Sequence, residues 1–291
     1  MPPLRGFFRY RTTFKNYIEV VLKLFFKKFP IKIIFKNGFE TIALNAGFVH
    51  VASTGINFSY DRYNDLMVFN FYGKFLNFYG TYYNNDIADT FGFQSYSFLN
   101  VVERNVIDIG ANIGDSSIYF SMKGAKKVLA VEPSPFVFKY LVKNIKINKM
   151  EDKIETLNVA LGNKINTIKI QDNEVDVTGL KAENIEDGKE ISVYTLEKLI
   201  SEIDNPMVDL VLKMDCEGCE FDSFLNSDTS TLSFFKEIIL EYHDYPYSLI
   251  SKLMDCGFSV KLDGVRISEV LKLSWKNKKN RIGYIYASSI S

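Results

Sequence analysis

The sequence predicts an α/β chain built on a doubly wound sheet. The sheet is mostly parallel with an antiparallel C-terminal strand, and an N-terminal helix and β-hairpin region precede it. Three observations carry this. From Val101 onward, short apolar runs alternate with helical stretches, the mark of repeated strand–helix units. The first of these runs opens into a glycine turn and then a helix. The last two runs, 258–262 and 281–287, read as an antiparallel pair. Parallel crossovers are nearly always right-handed, so such units lay helices on both faces of one sheet, a Rossmann-like arrangement.

In chain order, residues 14–29 read as a helix: Lys15, Glu19, Lys23 and Lys27 recur every fourth position, the rest is apolar, and Pro30 ends it. Two β-prone runs flank Asn37-Gly38, a pair that favours a two-residue hairpin turn with both residues at positive φ. A second strand-rich stretch, 66–79, breaks at Gly73. Residues 1–100 therefore form one region and 101–291 another. In the second, VIDIG (106–110) is a strand leading into a helix to about residue 123. VLAVE (128–132) is the next strand. Ser134 then caps a helix with Pro135 at its first position. Further strands fall at 155–160, 210–215 and 237–243. Helices follow Thr195 and span 247–256.

The bulk composition excludes several classes. The 291 residues are 47% hydrophobic, ample for a core, and Lys plus Arg equals Asp plus Glu at 35 each. No nucleic-acid partner is called for. Three cysteines are too few for a disulfide framework, so a reducing, cytoplasmic setting is expected, with Cys216 and Cys219 read as small core or pocket residues rather than a redox or metal pair. Neither a transmembrane run nor a signal peptide is recognised. Residues 1–36, however, carry nine basic residues and one acid, a net of +8. Docking on the catalytic domain, self-association and contact with an anionic membrane surface are three readings of the basic helix 14–29, the first two preferred.

Chemistry is expected at the carboxyl tips of the strands. The first tip carries Asp108, Gly110, Ala111, Asn112, Gly114 and Asp115. Its glycines allow a tight turn and close approach to a ligand. The second tip carries Glu132, an acid placed to accept from ribose hydroxyls. A dinucleotide fingerprint would need glycine where Asn112 stands, and a pyrophosphate is repelled by Asp108 and Asp115. These acids suit an adenosine with a cationic amino-acid tail, which is S-adenosylmethionine.

The motifs VIDIGANIGD, VEPSP, NVALGN, LKMDCEGCE and ILEYH, in this order, resemble the FkbM family of methyltransferases over residues 90–288. The resemblance implies a class I methyltransferase fold, S-adenosylmethionine as cofactor, and O-methylation of a sugar, glycan or secondary metabolite. It places Asp108, Gly110, Asn112 and Gly114 around the methionine part, Glu132 on the ribose, residues 158–160 (Asn158 and Ala160 among them) along the adenine, and Asp215 beside the cofactor tail. Cys216 and Cys219 depart from the family's usual small or aliphatic residues. A hydroxyl acceptor benefits from a base. His243 is favoured because imidazole titrates near neutrality, and Glu217 comes second. Lys213 either polarises the acceptor or pairs with Asp215. A divalent ion on Asp215, Glu217 and Glu241 is no more than suggested, and no metal is assigned. The competing functions are an NAD-dependent oxidoreductase and a non-catalytic, membrane-associated scaffold of the same fold.

Overall fold

The computed structural model describes residues 3–82, 86–170, 188–203, 209–243, 245–262, 265–266 and 283–290. The chain divides into two compact units, Met1–Phe98 with Lys143–Lys149, and Leu99–Val142 with Met150–Ser291.

The first unit opens with two helices, α1 (Pro3–Thr13) and α2 (Tyr17–Phe25), where the sequence suggested one over 14–29. The break has a cause. Phe14 is fully buried and bridges to Phe35, and the Lys15 amide donates to the Ile34 carbonyl. The Asn16 side chain donates to the Lys32 carbonyl (2.9 Å) and accepts from the Ile34 amide (3.0 Å). Residues 14–16 are thus spent on the following strand and cannot continue a helix. That strand, β1 (Ile31–Ile34), pairs with β2 (Glu40–Ala43). Their connection is a three-residue loop and not the expected two-residue one. Gly38 alone of the pair is left-handed (φ 91°), its amide donates to Phe35, and the Asn37 side chain accepts from Phe39. After α3 (Ala46–Ser53) comes a three-stranded sheet, β3 (Phe58–Asp61), β4 (Leu66–Phe71) and β5 (Lys74–Tyr79). Here Tyr72 and Gly73 both take positive φ, giving the two-residue turn that Asn37-Gly38 does not form. The outer edge of β5 is closed by two asparagines. Asn144 bonds the Tyr79 amide and carbonyl (2.7 and 3.1 Å), and Asn148 does the same for Asn77 (3.0 and 2.7 Å).

The second unit is the doubly wound sheet. Its parallel part comprises β6 (Asn105–Ile109), β7 (Lys127–Val131) and β8 (Ile154–Leu157), with helices α4 (Asp115–Met122) and α5 (Pro135–Ile147) after the first two strands. The Ser134 hydroxyl caps α5 weakly, accepting from Val137 at 3.4 Å. β8 ends three residues before the expected boundary, because the chain peels off to form β9 (Ala160–Leu161), which joins β10 (Asn166–Ile170) and β11 (Lys189–Tyr194) in a small separate sheet. α6 (Leu196–Ser201), capped by Thr195 as read from the sequence, leads toward β12 (Leu210–Met214). Then follow α7 (Thr229–Leu232), β13 (Phe235–Tyr242), α8 (Tyr247–Asp255), β14 (Phe258–Leu262), β15 (Val265–Arg266) and β16 (Gly283–Ser289). Arg281 and Ile282, expected in the last strand, lie outside the described residues.

The strand order is β15-β14-β16-β13-β12-β6-β7-β8. β8, β7, β6, β12 and β13 are mutually parallel, and β16 inserts antiparallel between β13 and β14. This is the class I methyltransferase fold. Every residue of β6 and of β12 is buried, the hallmark of central strands covered on both faces. The order reverses at β6, so a crevice opens over the carboxyl tips of β6 and β12.

Candidate functional site

The site starts from a charge inside the sheet. Register sets Asp108 of β6 beside Lys213 of β12. Both are buried and pair at 3.2 Å. Asp108 also accepts from the hydroxyls of Ser116 (2.6 Å) and Ser117 (2.5 Å) in the first turn of α4. Lys213 donates to the carbonyls of Gly110 (2.7 Å) and Ile109 (3.3 Å). Burial works against the charged amine, yet Asp108, Asp215 and Asp115 outweigh it and hold the Lys213 pKa above its ordinary value. Two expectations change. Asp108 faces the sheet and α4 rather than an open ligand site, and Lys213 is sealed against Asp108 rather than paired with Asp215 or turned to an acceptor. The pair holds the turn after β6 from beneath.

That turn is forced to be glycine at its start. Gly110 has φ 71°, and a Cβ there would lie 1.7 Å from the Asp215 carbonyl oxygen. The tips of β6 and β12 therefore touch backbone to backbone, and the Asp215 amide donates to Ile109 (3.0 Å). The amides of Gly110 and Ala111 both donate to the Val131 carbonyl. Asn112 and Gly114 are left-handed, and Asp115, buried, opens α4. Glu132 comes back onto this turn. Its carboxylate accepts from the Asn112 amide (3.0 Å) and the Ser134 amide (2.8 Å). Burial raises its pKa to about 7 against those two bonds. A carboxylate has about four acceptor positions, so lone pairs remain for a diol.

Above the tips lies a cavity of about 370 Å³, within the range of small-molecule sites. Its floor is Ile109, Gly110, Val131 and Pro133. One wall is Val159, Ala160, Leu161 and Ile170, and the other runs from Cys216 to Cys219 with Asp222. Ala160 lines the cavity. Asn158 does not: its amide donates to the carbonyls of Glu132 (2.8 Å) and Pro133 (3.0 Å), so it pins the cavity floor rather than facing the cavity. Asp108 and Glu132 are not among the lining residues. Val159 lies within the expected 158–160 loop, whereas Leu161, Ile170, Gly218 and Asp222 are lining residues that sequence reasoning missed. The apolar run VAL at 159–161, where the third strand peels away, was the available signal.

Beside the cavity, the tips of β12 and β13 gather four carboxylates around one imidazole. His243 Nδ1 meets Glu220 at 3.0 Å, and Nε2 meets Glu217 at 3.3 Å and Asp215 at 3.9 Å. Glu220 is fully buried and also accepts from the Gly218 amide (2.9 Å). Burial would lower the His243 pKa, but Glu220, Glu217 and Asp215 together raise it to about 9. That shift favours the imidazolium at neutral pH, which speaks against His243 as the expected proton acceptor. Glu217 is the most open of the acids touching it, with 43% of its side chain exposed, on a left-handed residue that turns the loop. Glu241 is crowded by burial and by Asp215, and its pKa rises to about 8. Among the described residues, Asp215, Glu241 and His243 lie close enough to share a cation, with His243 where Glu217 was expected; the other such group, Cys216, Cys219 and Glu220, has both sulfurs in a disulfide. Cys216 and Cys219 form a disulfide, Cα to Cα 5.4 Å, and are not merely two small pocket residues.

Comparison with known proteins follows the same residues. A methyltransferase FkbM domain matches residues 108–260, just over half of the chain. The chain is 43% identical over 54 residues to a Pyrococcus horikoshii tRNA(Phe) (4-demethylwyosine(37)-C(7)) aminocarboxypropyltransferase, covering 19% of each. It is 30% identical over 124 residues to a Methanocaldococcus jannaschii tRNA (guanine(37)-N(1))-methyltransferase, covering 40% of this chain and 34% of that one. The chain thus spans only about a third of the length of these curated relatives, or less. Among solved structures, the methyltransferase FkbM from Methylobacillus flagellatus aligns over 68% of this chain and 47% of that chain, at 17% identity and a TM-score of 0.44.

Proposed function

Given that the chain belongs to the FkbM methyltransferase family, we propose that it transfers a methyl group from S-adenosylmethionine to a hydroxyl of a sugar, glycan or secondary metabolite. The observation that carries the reading is the hollow over the tips of β6 and β12, floored in part by Gly110, where the close approach of the Asp215 carbonyl leaves no room for a side chain. Its residues fit the cofactor. Val131, Pro133, Val159 and Leu161 offer an apolar slot for the adenine, and the carboxylates of Glu217 and Asp222 in its wall favour a cationic tail. Glu132, buried behind the floor on the Asn112 and Ser134 amides, retains acceptor capacity for ribose hydroxyls. When bound, S-adenosylmethionine supplies an activated methyl on a sulfonium, so the protein's main task is to position the acceptor.

The acid cluster supports a neutral, hydroxylated acceptor. Asp215 and Glu217, the partly exposed carboxylates of the cluster, face a nucleic-acid backbone with like charge, which weighs against carrying over the RNA substrates named for the curated relatives. Carboxylates readily accept from sugar hydroxyls. His243, already protonated, fixes the carboxylates of Glu220 and Glu217, and the base role passes to Glu217, which has the most open carboxylate. The test is calorimetric titration with S-adenosylhomocysteine, followed by assay of S-adenosylhomocysteine release over a panel of hydroxylated acceptors and RNA. Wild type should bind, and Gly110→Ala should not. Glu217→Gln should keep cofactor affinity while losing about 10²-fold or more in kcat. Absence of binding by wild type overturns the cofactor reading, and turnover with RNA alone overturns the acceptor class.

A further inference from the structure

We propose that the apolar face of α2 and the lysines at its end form a docking surface for an anionic lipid bilayer. Ile18, Leu22, Phe25 and Phe26 follow the i, i+4, i+7, i+8 spacing of one helix face. They are 59, 53, 72 and 62% exposed, although the opposite residue, Val20, is fully buried. The helix thus packs on the first unit through one side and presents a second apolar side to water. Such a face is costly to leave bare and marks an interaction site. Lys27 and Lys28, both exposed, follow directly, and Lys28 reaches over the Phe26 ring. Apolar rings below and ammonium groups at the rim are the arrangement of an interfacial helix: the rings enter the acyl boundary and the lysines meet anionic headgroups.

Charge selects this occupant. Residues 1–36 carry a net of +8 in a chain whose total is zero. A second copy would bring the same positive surface against itself, whereas phosphatidylglycerol or phosphatidylserine headgroups attract it. Among the described residues no helix is long and apolar enough to cross a membrane, so the contact is with one leaflet. The inference does not depend on the methyltransferase reading.

The test is co-sedimentation of the full chain with vesicles containing about a third phosphatidylglycerol, against neutral phosphatidylcholine vesicles. Wild type should partition at least about tenfold more strongly onto the anionic vesicles, and the difference should shrink between about 0.1 and 0.5 M salt. Phe25→Glu/Phe26→Glu and, separately, Lys27→Glu/Lys28→Glu should each abolish it. All four side chains are exposed, and unchanged melting by circular dichroism will show that the variants fold. The proposal is overturned by equal or no partition onto the two vesicles. It is overturned equally by binding that survives the phenylalanine changes. A concentration-dependent dimer that the phenylalanine changes abolish, with no vesicle binding, assigns the face to self-association instead.

Discussion

Removing one partner of the Asp108–Lys213 pair leaves the other charged and buried. Asp108→Asn should therefore destabilise the protein by about 3–5 kcal/mol, read by urea unfolding, while Asp108→Asn/Lys213→Met should cost less than the single changes summed. The motif around Asp108 made the residue stand out, but its partner lies 105 positions later on a strand whose neighbour only the topology reveals. Sequence reasoning read the acid as a ligand contact for that reason. His243 is a similar case. Its position beyond a central strand was legible, but the three carboxylates that charge it come from a loop with two successive left-handed residues, Glu217 and Gly218. Its folded pKa of about 9 exceeds the ordinary 6.5. The stabilisation is then fully present below pH 6.5 and disappears as pH rises through 9. Glu132 and Glu241, also raised, add a loss of the same sign from pH 4.5 up to about 7 and 8. Comparing wild type with His243→Gln isolates the histidine: the stability difference should shrink across pH 6.5–9, by at most about 3 kcal/mol. A flat difference would show that the cage does not hold the proton.

The elements of the second unit were legible because a central parallel strand has no polar face, so VIDIG and LVLKM announce themselves as runs. Those of the first unit were less so. A single polar stripe over 14–29 satisfied the helical period, and nothing local showed that Phe14 and Asn16 pair with β1. The hairpin signal at Asn37-Gly38 was real, but an added residue moved the left-handed position to Gly38 alone. The asparagine pair on β5 escaped notice entirely, since i, i+4 asparagines on a helix carry no distinctive pattern. It has a measurable role. Asn144→Ala and Asn148→Ala each strand a backbone amide and carbonyl, and each should cost about 1–3 kcal/mol in thermal unfolding. Hydrogen exchange should quicken at Tyr79 in the first variant and at Asn77 in the second.

For the molecule as a whole, cofactor binding and stability are linked. Saturation with S-adenosylhomocysteine at about a hundred times its Kd should stabilise the binding unit by about 2.7 kcal/mol, seen as a raised melting temperature, and NADH should leave melting unchanged. An NADH shift would return the oxidoreductase reading to contention. The class of fold was available from the alternation of strands and helices alone, since right-handed crossovers leave few other arrangements. The order in which β16 enters between β13 and β14 was not, because an antiparallel pair can sit at either side of a sheet edge. One more consequence follows from the ion pair that spans β6 and β12. Sliding either strand by a single residue would set Lys213 against Ile107 or Ile109 and leave an ammonium facing hydrocarbon. Assembly of this sheet thus carries its own proofreading: the three aliphatic positions of β6 and the four apolar ones of β12 could pair in several ways, and the charged couple makes the others too costly to persist.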